Sequence, residues 1–407
     1  MNTKKLLLIL IAIFTYGISN AQSADDVFNL LIQKGLVKQT EADSIRAEYA
    51  LNQQTIKEKQ KTFGVLSSRN LSIGGYAQVR YQSLQEHGKV DGFDIRRARL
   101  DIKGNFSPEW EYRLQTDFAV SPKIIDAYIT YKPFDALKFT AGQFIIPFSL
   151  ESTTSDNLLE TIDRAQVSGL VARNKDAVGD QNGRDLGIQV SGSLLQTPSN
   201  RFLLDYYIAY FNGQGINLAT DANNFKDVAA RLVVHPFEFL DLGGSYTNGY
   251  DNWVTTAAKA ATYNAPIGSV ITIKTLATNA ITSNNNHSRI GADIAFTYND
   301  FNFKAEYIEA QEGTYLVGTT VKTLIKNGWY AQAGYYVLPK KLQFVVKYDT
   351  YDPTKANPKN DITTFYTYGA NYYVNNFVKF QVNYKHKSEQ GFSIDKDEVV
   401  AQLQVRF

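Results

Sequence analysis

The stretch Glu398-Val-Val-Ala-Gln-Leu-Gln-Val-Arg-Phe407 indicates how this 407-residue chain folds. Every second residue from Val399 to Phe407 is apolar, and the residues between them are polar except Val400. Side chains of a β-strand alternate between two faces, so this segment has one apolar face and one hydrated face. A strand of this kind that ends on an aromatic residue is typical of the closing strand of an outer-membrane β-barrel, with lipid outside and water inside.

The same two-residue period begins near Leu71 and recurs to the end of the chain. The predicted strands cover residues 71–84, 94–106, 110–120, 123–133, 136–146, 184–195, 201–212, 225–235, 239–248, 288–298, 301–311, 328–338, 341–351, 362–374, 377–387 and 397–407. Short turns alternate with long connections, notably 147–183 and 249–287. An even number of strands with this alternation predicts an all-β fold, a 16-stranded antiparallel transmembrane β-barrel over residues 65–407.

A signal peptide is expected at residues 1–21. Lys4 and Lys5 precede an apolar run from Leu6 to Phe14, and small residues follow. The apolar run is too short to cross a membrane as a helix. We therefore expect the chain to be exported and to enter the membrane as strands.

Residues 22–64 show the period of a helix rather than that of a strand. Ser23 and Thr40 are suited to cap two helices, and Gly35 is suited to end the first one. A periplasmic helical hairpin followed by a linker explains this pattern, and so does a short trimeric coiled coil with the same linker. The heptad pattern is too brief to choose between them.

The composition excludes several classes of function. Without residues 1–21 the chain has 40 basic and 40 acidic residues, whereas a nucleic-acid binder has a basic domain. Cys is absent, so no disulfide framework or thiol chemistry is available. The four His residues are scattered without metal-ligand spacing, and no G-x-S-x-G nucleophile elbow occurs. We therefore expect no catalytic residue, no metal site and no cofactor.

Basic side chains gather at positions of the first three strands that cannot face lipid. They are Arg80, Arg97, Arg99, Lys103 and Arg113. A guanidinium group can grip an oxyanion through two parallel N–H bonds, and a series of weak sites lets an anion step along a pore. Alternatively, the same arginines pair with Asp101, Glu111 and Asp117 and stiffen the wall. Both interpretations stay open, because both signs of charge are present.

The connection 147–183 is too long for a simple turn and is rich in hydroxyl and basic side chains. These are Ser152, Thr153, Thr154, Ser155, Arg164, Arg173 and Lys175. A loop folded into a 16-stranded barrel would narrow an otherwise wide channel, and hydroxyl and Arg side chains at the narrowest point would select small anions. An exposed mobile loop is the alternative.

Several short motifs carry a resemblance to a known family. They are Phe93-Asp-Ile-Arg-Arg-Ala-Arg-Leu100, Asp126-Ala-Tyr128, Gly142-Gln-Phe144 with Pro147-Phe-Ser-Leu-Glu151, Gly183-Arg-Asp-Leu-Gly187 and Gly328-Trp-Tyr330. With these motifs the chain resembles the phosphate-selective porin O and P family over roughly residues 65–407. The resemblance implies a trimeric 16-stranded porin with an inward-folded third loop and an arginine ladder that leads to a constriction.

The resemblance also implies roles for individual residues. Arg96 and Arg97 match the family's paired arginines near the constriction, although strand parity places Arg96 on the face opposite Arg97. Ser155 matches a loop serine that binds phosphate, and Arg164 matches the Arg that follows an acidic residue in that loop.

The chain departs from the phosphate-specific members at two positions of this loop. Glu151 is followed by Ser152 where those members have Lys, and Asp156 replaces a second loop Ser. Losing a cation and gaining an acid weakens an anion site. The resemblance therefore supports the fold and the pore more strongly than strict phosphate selectivity.

These observations predict an outer-membrane porin that passes small hydrophilic solutes by diffusion and prefers anions such as phosphate. The residues expected along the anion path are Arg80, Arg96, Arg97, Arg99, Lys103, Arg113, Ser155 and Arg164. The expected partners are outer-membrane lipid and lipopolysaccharide, small anions, two further copies of the chain, and the barrel assembly machinery through the Phe407 strand. No nucleic acid is expected.

Two further expectations concern the whole barrel. A structural or surface-interaction barrel with little transport is the alternative function, with the loop 249–287 as its working part. The lumen is expected to be lopsided, with a cationic wall in the first three strands and a more neutral wall where the barrel closes near Gln402 and Gln404.

Overall fold

The computed structural model describes residues 71–84, 91–172, 183–218, 224–251, 285–317, 320–355, 362–389 and 397–407. The expected signal peptide at 1–21 and the expected helical segment at 22–64 lie outside the described residues, as do Arg173, Lys175 and most of the connection 249–287. No helix within the described ranges is long and apolar enough to cross a membrane.

Sixteen strands form, as the sequence predicts. They are β1 (Leu71–Leu84), β2 (Gly92–Ser107), β3 (Trp110–Asp117), β4 (Lys123–Phe134), β5 (Leu137–Ile145), β6 (Arg184–Gln196), β7 (Phe202–Phe211), β8 (Asp227–Phe237), β9 (Leu240–Asp251), β10 (Asn285–Tyr298), β11 (Phe301–Val317), β12 (Thr320–Leu338), β13 (Leu342–Asp352), β14 (Thr363–Tyr373), β15 (Val378–Glu389) and β16 (Glu398–Arg406). The predicted boundaries are correct within three residues, except at the facing ends of β11 and β12, which extend six and eight residues further. The all-β fold is confirmed.

Each strand pairs antiparallel with its neighbours in sequence, and β1 pairs with β16 to close the barrel. Beyond the end of β16, the N–H of Phe407 donates to the carbonyl of Gly75, and the N–H of Gly75 donates back, both at 3.0 Å. A Cβ at Gly75 would lie 2.2 Å from the carbonyl oxygen of Arg99 and 2.8 Å from the Phe407 ring. Glycine at this position therefore lets the two ends of the sheet meet.

The two faces of the barrel differ as the alternation requires. Large apolar side chains such as Phe93, Phe344 and Leu403 are exposed on the outside, where lipid would cover them. Polar side chains of the opposite face, such as Gln343 of β13, are buried within the barrel. Val400, the exception in the pattern of the last strand, belongs to this inner face and is fully buried.

The connection between β5 and β6, residues 146–183, is named loop L3 here. Its described part contains helices α1 (Leu150–Thr153) and α2 (Gln166–Leu170) and a 3₁₀ helix at Asp156–Leu158. Its apolar residues form a buried cluster with side chains of β5, β7, β8, β11, β12 and β13: Phe144, Ile146, Phe148, Ala165, Val167, Val171, Ala172, Ala209, Phe211, Ala229, Ile308, Ala310, Tyr330 and Tyr351. The hydrophobic core therefore lies inside the barrel, and the expected inward-folded third loop is confirmed.

Candidate functional site

Loop L3 is fastened to the far side of the lumen by hydrogen bonds from its own backbone. The N–H of Leu150 donates to Glu306 of β11 at 2.9 Å, and the N–H of Ile162 donates to Asn383 of β15 at 2.7 Å. These bonds satisfy backbone groups that would otherwise be buried without a partner. The loop therefore crosses the lumen rather than lining one wall, and it narrows the channel.

Glu160 joins L3 to several strands at once. Its carboxylate accepts from Gln332 at 2.5 Å, from Gln343 at 3.2 Å and from Lys304 at 3.4 Å. Its backbone carbonyl accepts from Asn371 at 2.8 Å. One residue of L3 thus contacts β11, β12, β13 and β14.

A β-bulge changes the direction of one predicted site residue. Gln78 of β1 pairs with Arg97, whereas the next residue, Val79, pairs with Ile95, so Arg96 is an extra residue in β2. Its guanidinium group lies 2.6 Å from Asp163 of L3, inside the barrel. The parity argument that placed Arg96 opposite Arg97 is therefore wrong, because the bulge adds one residue to the alternation.

Asp156 of L3 forms ion pairs with three arginines. Arg97 lies 3.2 Å and Arg164 lies 2.8 Å from its Oδ1, and Arg99 lies 3.0 Å from its Oδ2. Arg99 also donates to Asp117 of β3 at 3.0 Å. Asp156, Arg97, Arg99 and Arg164 are named the Asp156 cluster here, and it joins L3 to the first strands.

A second acidic residue of L3, Asp163, pairs with a different set of cations. Asp163 lies 2.6 Å from Arg96, 2.8 Å from Lys385 of β15 and 4.0 Å from Arg80. Burial disfavours the charged carboxylate, but Arg96 and Lys385 hold the pKa of Asp163 well below its usual range. Arg80 makes its closest pair with Asp94, at 2.5 Å.

The remaining predicted site residues lie apart from these two groups. Arg113 pairs with Asp101 at 2.8 Å and with Asp126 at 3.1 Å. Lys103 is exposed and makes no hydrogen bond or ion pair within the described residues. Ser155 is exposed beside Asp156, and its side chain does not cap the 3₁₀ helix that it precedes.

The ion-pairing interpretation of the arginines is confirmed for two of the three acids that the sequence singled out. Asp101 pairs with Arg113 and Asp117 pairs with Arg99, whereas Glu111 pairs with Lys132. Arg96, Arg97 and Arg99 also lie inside the barrel in contact with L3.

The lumen is less lopsided than expected. The inner face of β16 carries the neutral Gln402 and Gln404 but also the buried acid Glu398, and the neighbouring strand β15 carries the buried cations Lys379 and Lys385. Lys379 donates to the carbonyl of Leu159 at 3.0 Å. Strand parity places these lysines on the inner face, but their contacts with L3 join residues more than 200 positions apart, which the sequence pattern does not reveal.

Comparisons with known proteins agree with this architecture. The family model described as phosphate-selective porin O and P matches residues 73–407. The chain belongs to the phosphate-selective porin O and P family. No curated protein matches it in sequence. The family and the fold are those of outer-membrane porin channels, which are not enzymes.

Solved structures share the fold at low sequence identity. OmpF of Salmonella typhi, in complex with daunomycin, aligns with a TM-score of 0.58 at 13% identity, over 83% of this chain and 98% of that one. The outer-membrane channel DcaP of Acinetobacter baumannii gives 0.54 at 14% identity, over 84% and 99%. The trimer form of OmpT of Vibrio cholerae gives 0.56 at 11% identity, over 83% and 99%.

Proposed function

We propose that this porin lets small hydrophilic solutes diffuse past L3 with a weak preference for anions such as phosphate. The observation that carries the preference is the unequal exposure of the two partners in two ion pairs of the lumen. Arg97 keeps 17% of its side-chain surface exposed against 2% for Asp156, and Arg113 keeps 28% against 2% for Asp126. At these two pairs a passing solute meets N–H donors more often than carboxylate oxygens. At two other pairs the acid is the more exposed partner, with 45% for Asp94 against 17% for Arg80 and 24% for Asp163 against 15% for Arg96, so the net preference is small.

The preference is weak because most of these cations already have an acidic partner. A guanidinium group that pairs with a carboxylate still presents its outer N–H bonds, but its net field is largely cancelled. Lys103 and Ser155, which are exposed, add a free cation and a hydroxyl. Several weak contacts in series favour passage over tight binding.

Paired measurements on one variant and its control test this proposal. Arg113→Gln leaves Asp101 without its guanidinium partner and leaves Asp126 with Arg184 alone, so the reversal potential in a KCl gradient should move toward the cation side. Lys355→Gln removes a cation that pairs with Glu309, and should leave the reversal potential unchanged. Equal reversal potentials for Arg113→Gln and the unmodified porin would refute the role of this wall.

A second candidate function is a structural barrel with little transport. It is favoured by the number of walls that L3 contacts, since bonds from L3 reach β11 through β16. Liposome swelling in small sugars separates the two functions. A diffusion channel admits the sugars and the liposomes swell, whereas a barrel that L3 blocks gives no swelling above protein-free liposomes.

We further propose that the porin is a homotrimer. The proposal is supported by the family resemblance and by the fold shared with a solved trimer form. Chemical cross-linking of the detergent-extracted porin should give a three-copy band. A band at the single-chain mass across all cross-linker concentrations would contradict it.

The remaining assignments are proposals about maturation and surroundings. They are a signal peptide at 1–21, a helical periplasmic segment at 22–64, contact with lipopolysaccharide, and recognition of the Phe407 strand by the barrel assembly machinery. N-terminal sequencing of the purified porin should begin at Gln22. Deleting Phe407 should lower the yield of folded barrel in the outer membrane, and an unchanged yield would refute recognition through this residue.

A further inference from the structure

Three guanidinium groups in the Asp156 cluster converge on one carboxylate. The nearest nitrogens of Arg97, Arg99 and Arg164 lie 3.2, 3.0 and 2.8 Å from its oxygens. Arg97 and Arg99 belong to β2, whereas Arg164 belongs to L3, so the cluster exists only while the loop is seated. Charge-assisted donors on several sides are the surroundings that a free oxyanion requires.

The arginines are held in place by groups other than Asp156. Arg99 donates to Asp117 at 3.0 Å, and Arg97 donates to Gln78 at 2.9 Å. Arg164 donates to two backbone carbonyls of L3. Because these contacts orient the guanidinium groups independently, the three cations stay in position when the carboxylate is removed.

The cluster also has donor capacity that Asp156 does not use. The Tyr76 hydroxyl and the Nε of Arg164 are buried and have no hydrogen-bond partner in the described part of the chain. The guanidinium carbon of Arg99 lies 5.7 Å from the centroid of the Tyr76 ring, which places this tyrosine beside the cluster. Buried donors without partners are unusual in proteins and point to a site that is built for more acceptors than it holds.

We infer that Asp156 determines the anion specificity of the constriction by occupying an oxyanion site with its own carboxylate. A carboxylate tethered to the chain competes with free anions at a high effective concentration, so phosphate is kept out of the site. This inference rests on the proposed function, since it explains why the preference for anions is weak. The site would take a small oxyanion, such as inorganic phosphate, once the carboxylate is gone.

The test replaces Asp156 with a smaller neutral residue. Asp156→Ser, purified as a folded barrel in detergent, is titrated with inorganic phosphate in a calorimeter beside the unmodified porin. The dissociation constant of Asp156→Ser for phosphate should be at least about tenfold lower than that of the unmodified porin, because one additional charge-assisted hydrogen bond is enough for that change. In bilayers, phosphate should block its chloride current with saturation. Equal affinities in the two proteins would overturn the inference.

Two further variants separate the loss of a charge from the opening of the site. Asp101→Asn removes an acid that pairs with Arg113, which is not part of the Asp156 cluster. It therefore makes the same change of charge as Asp156→Asn without opening the site. Asp156→Asn keeps the shape of the side chain and should fold even if Asp156→Ser does not. Its reversal potential should move further toward the anion side than that of Asp101→Asn, and an equal or smaller shift would overturn the inference.

Phosphate binding by Asp156→Ser and the ion selectivity of the unmodified porin are measured independently. If the unmodified porin is cation-selective or passes no current, the proposed function fails, but calorimetry still decides whether Asp156→Ser gains a phosphate site. If the porin prefers anions and Asp156→Ser binds phosphate no better than before, the proposed function stands and the inference about Asp156 fails.

Discussion

Replacing Glu160 with Ala should loosen L3 without unfolding the barrel. The change removes the acceptor of Gln332 at 2.5 Å, of Gln343 at 3.2 Å and of Lys304 at 3.4 Å. The Lys304 contact is long and partly exposed and contributes little. Two hydrogen bonds to a charged group, at roughly 1.5 kcal/mol each, give a loss of about 3 kcal/mol for the seated loop. The population of the released loop should then rise about a hundredfold.

Amide hydrogen exchange measures this population directly. The N–H of Ile162 donates to Asn383 at 2.7 Å while the loop is seated, so it exchanges only when L3 is released. Its exchange rate should rise about a hundredfold in Glu160→Ala, and single-channel records should show larger, noisier currents. The strands, whose amides pair with neighbouring strands, should exchange as before.

Glu309→Ala is the matched control. Glu309 lies on β11, the strand that also carries Lys304, and it pairs with Lys355 at 2.8 Å instead of contacting L3. The variant makes the same change of charge and size, and Ile162 should keep its slow exchange. If Glu160→Ala also leaves the Ile162 exchange rate unchanged, the carboxylate does not hold the loop and the reasoning fails.

Three other predictions follow from single contacts. Lys103→Gln should lower the anion-to-cation permeability ratio by a factor of about two, as expected for one solvated charge; a ratio unchanged in KCl-gradient recordings would remove this lysine from the path. The depressed pKa of Asp163 means that its ion pairs persist above about pH 4 and are lost only as the pH falls further. The difference in conductance between the unmodified porin and Asp163→Asn should therefore stay constant between pH 7 and 4 and disappear below that range, whereas a difference that disappears near neutral pH would contradict the assignment. Gly75→Val should prevent closure of the barrel against Phe407, because the added Cβ has no room. Gly244→Val adds its Cβ in open space and should fold. Gel mobility with and without heating separates folded from unfolded barrel for both variants, and a folded Gly75→Val barrel would contradict the prediction.

Most of the barrel could be predicted because one signal repeats along its whole length. Each strand separates lipid from water, so the period of two recurs in every strand and the boundaries follow within a few residues. The facing ends of β11 and β12 were missed because backbone pairing continues there beyond the predicted apolar alternation. Strand pairing needs only backbone groups, and it does not require an amphipathic pattern.

The site was harder to predict because it depends on local irregularity and on distant contacts. The direction of Arg96 follows from a bulge, and a bulge adds a residue that strand parity cannot anticipate. The sequence singled out Asp156 as a departure from its family, but not as the partner of three arginines. Glu160 and Lys385 gave no local signal, since their contacts form only when L3 enters the barrel.

The reversal potential of the unmodified porin in a planar bilayer, under a KCl gradient, tests the central claim most directly. The exposed donors of Arg97, Lys103 and Arg113 predict a modest anion selectivity, well short of exclusion of K⁺. A cation-selective reversal potential would contradict the account, and so would the absence of any current.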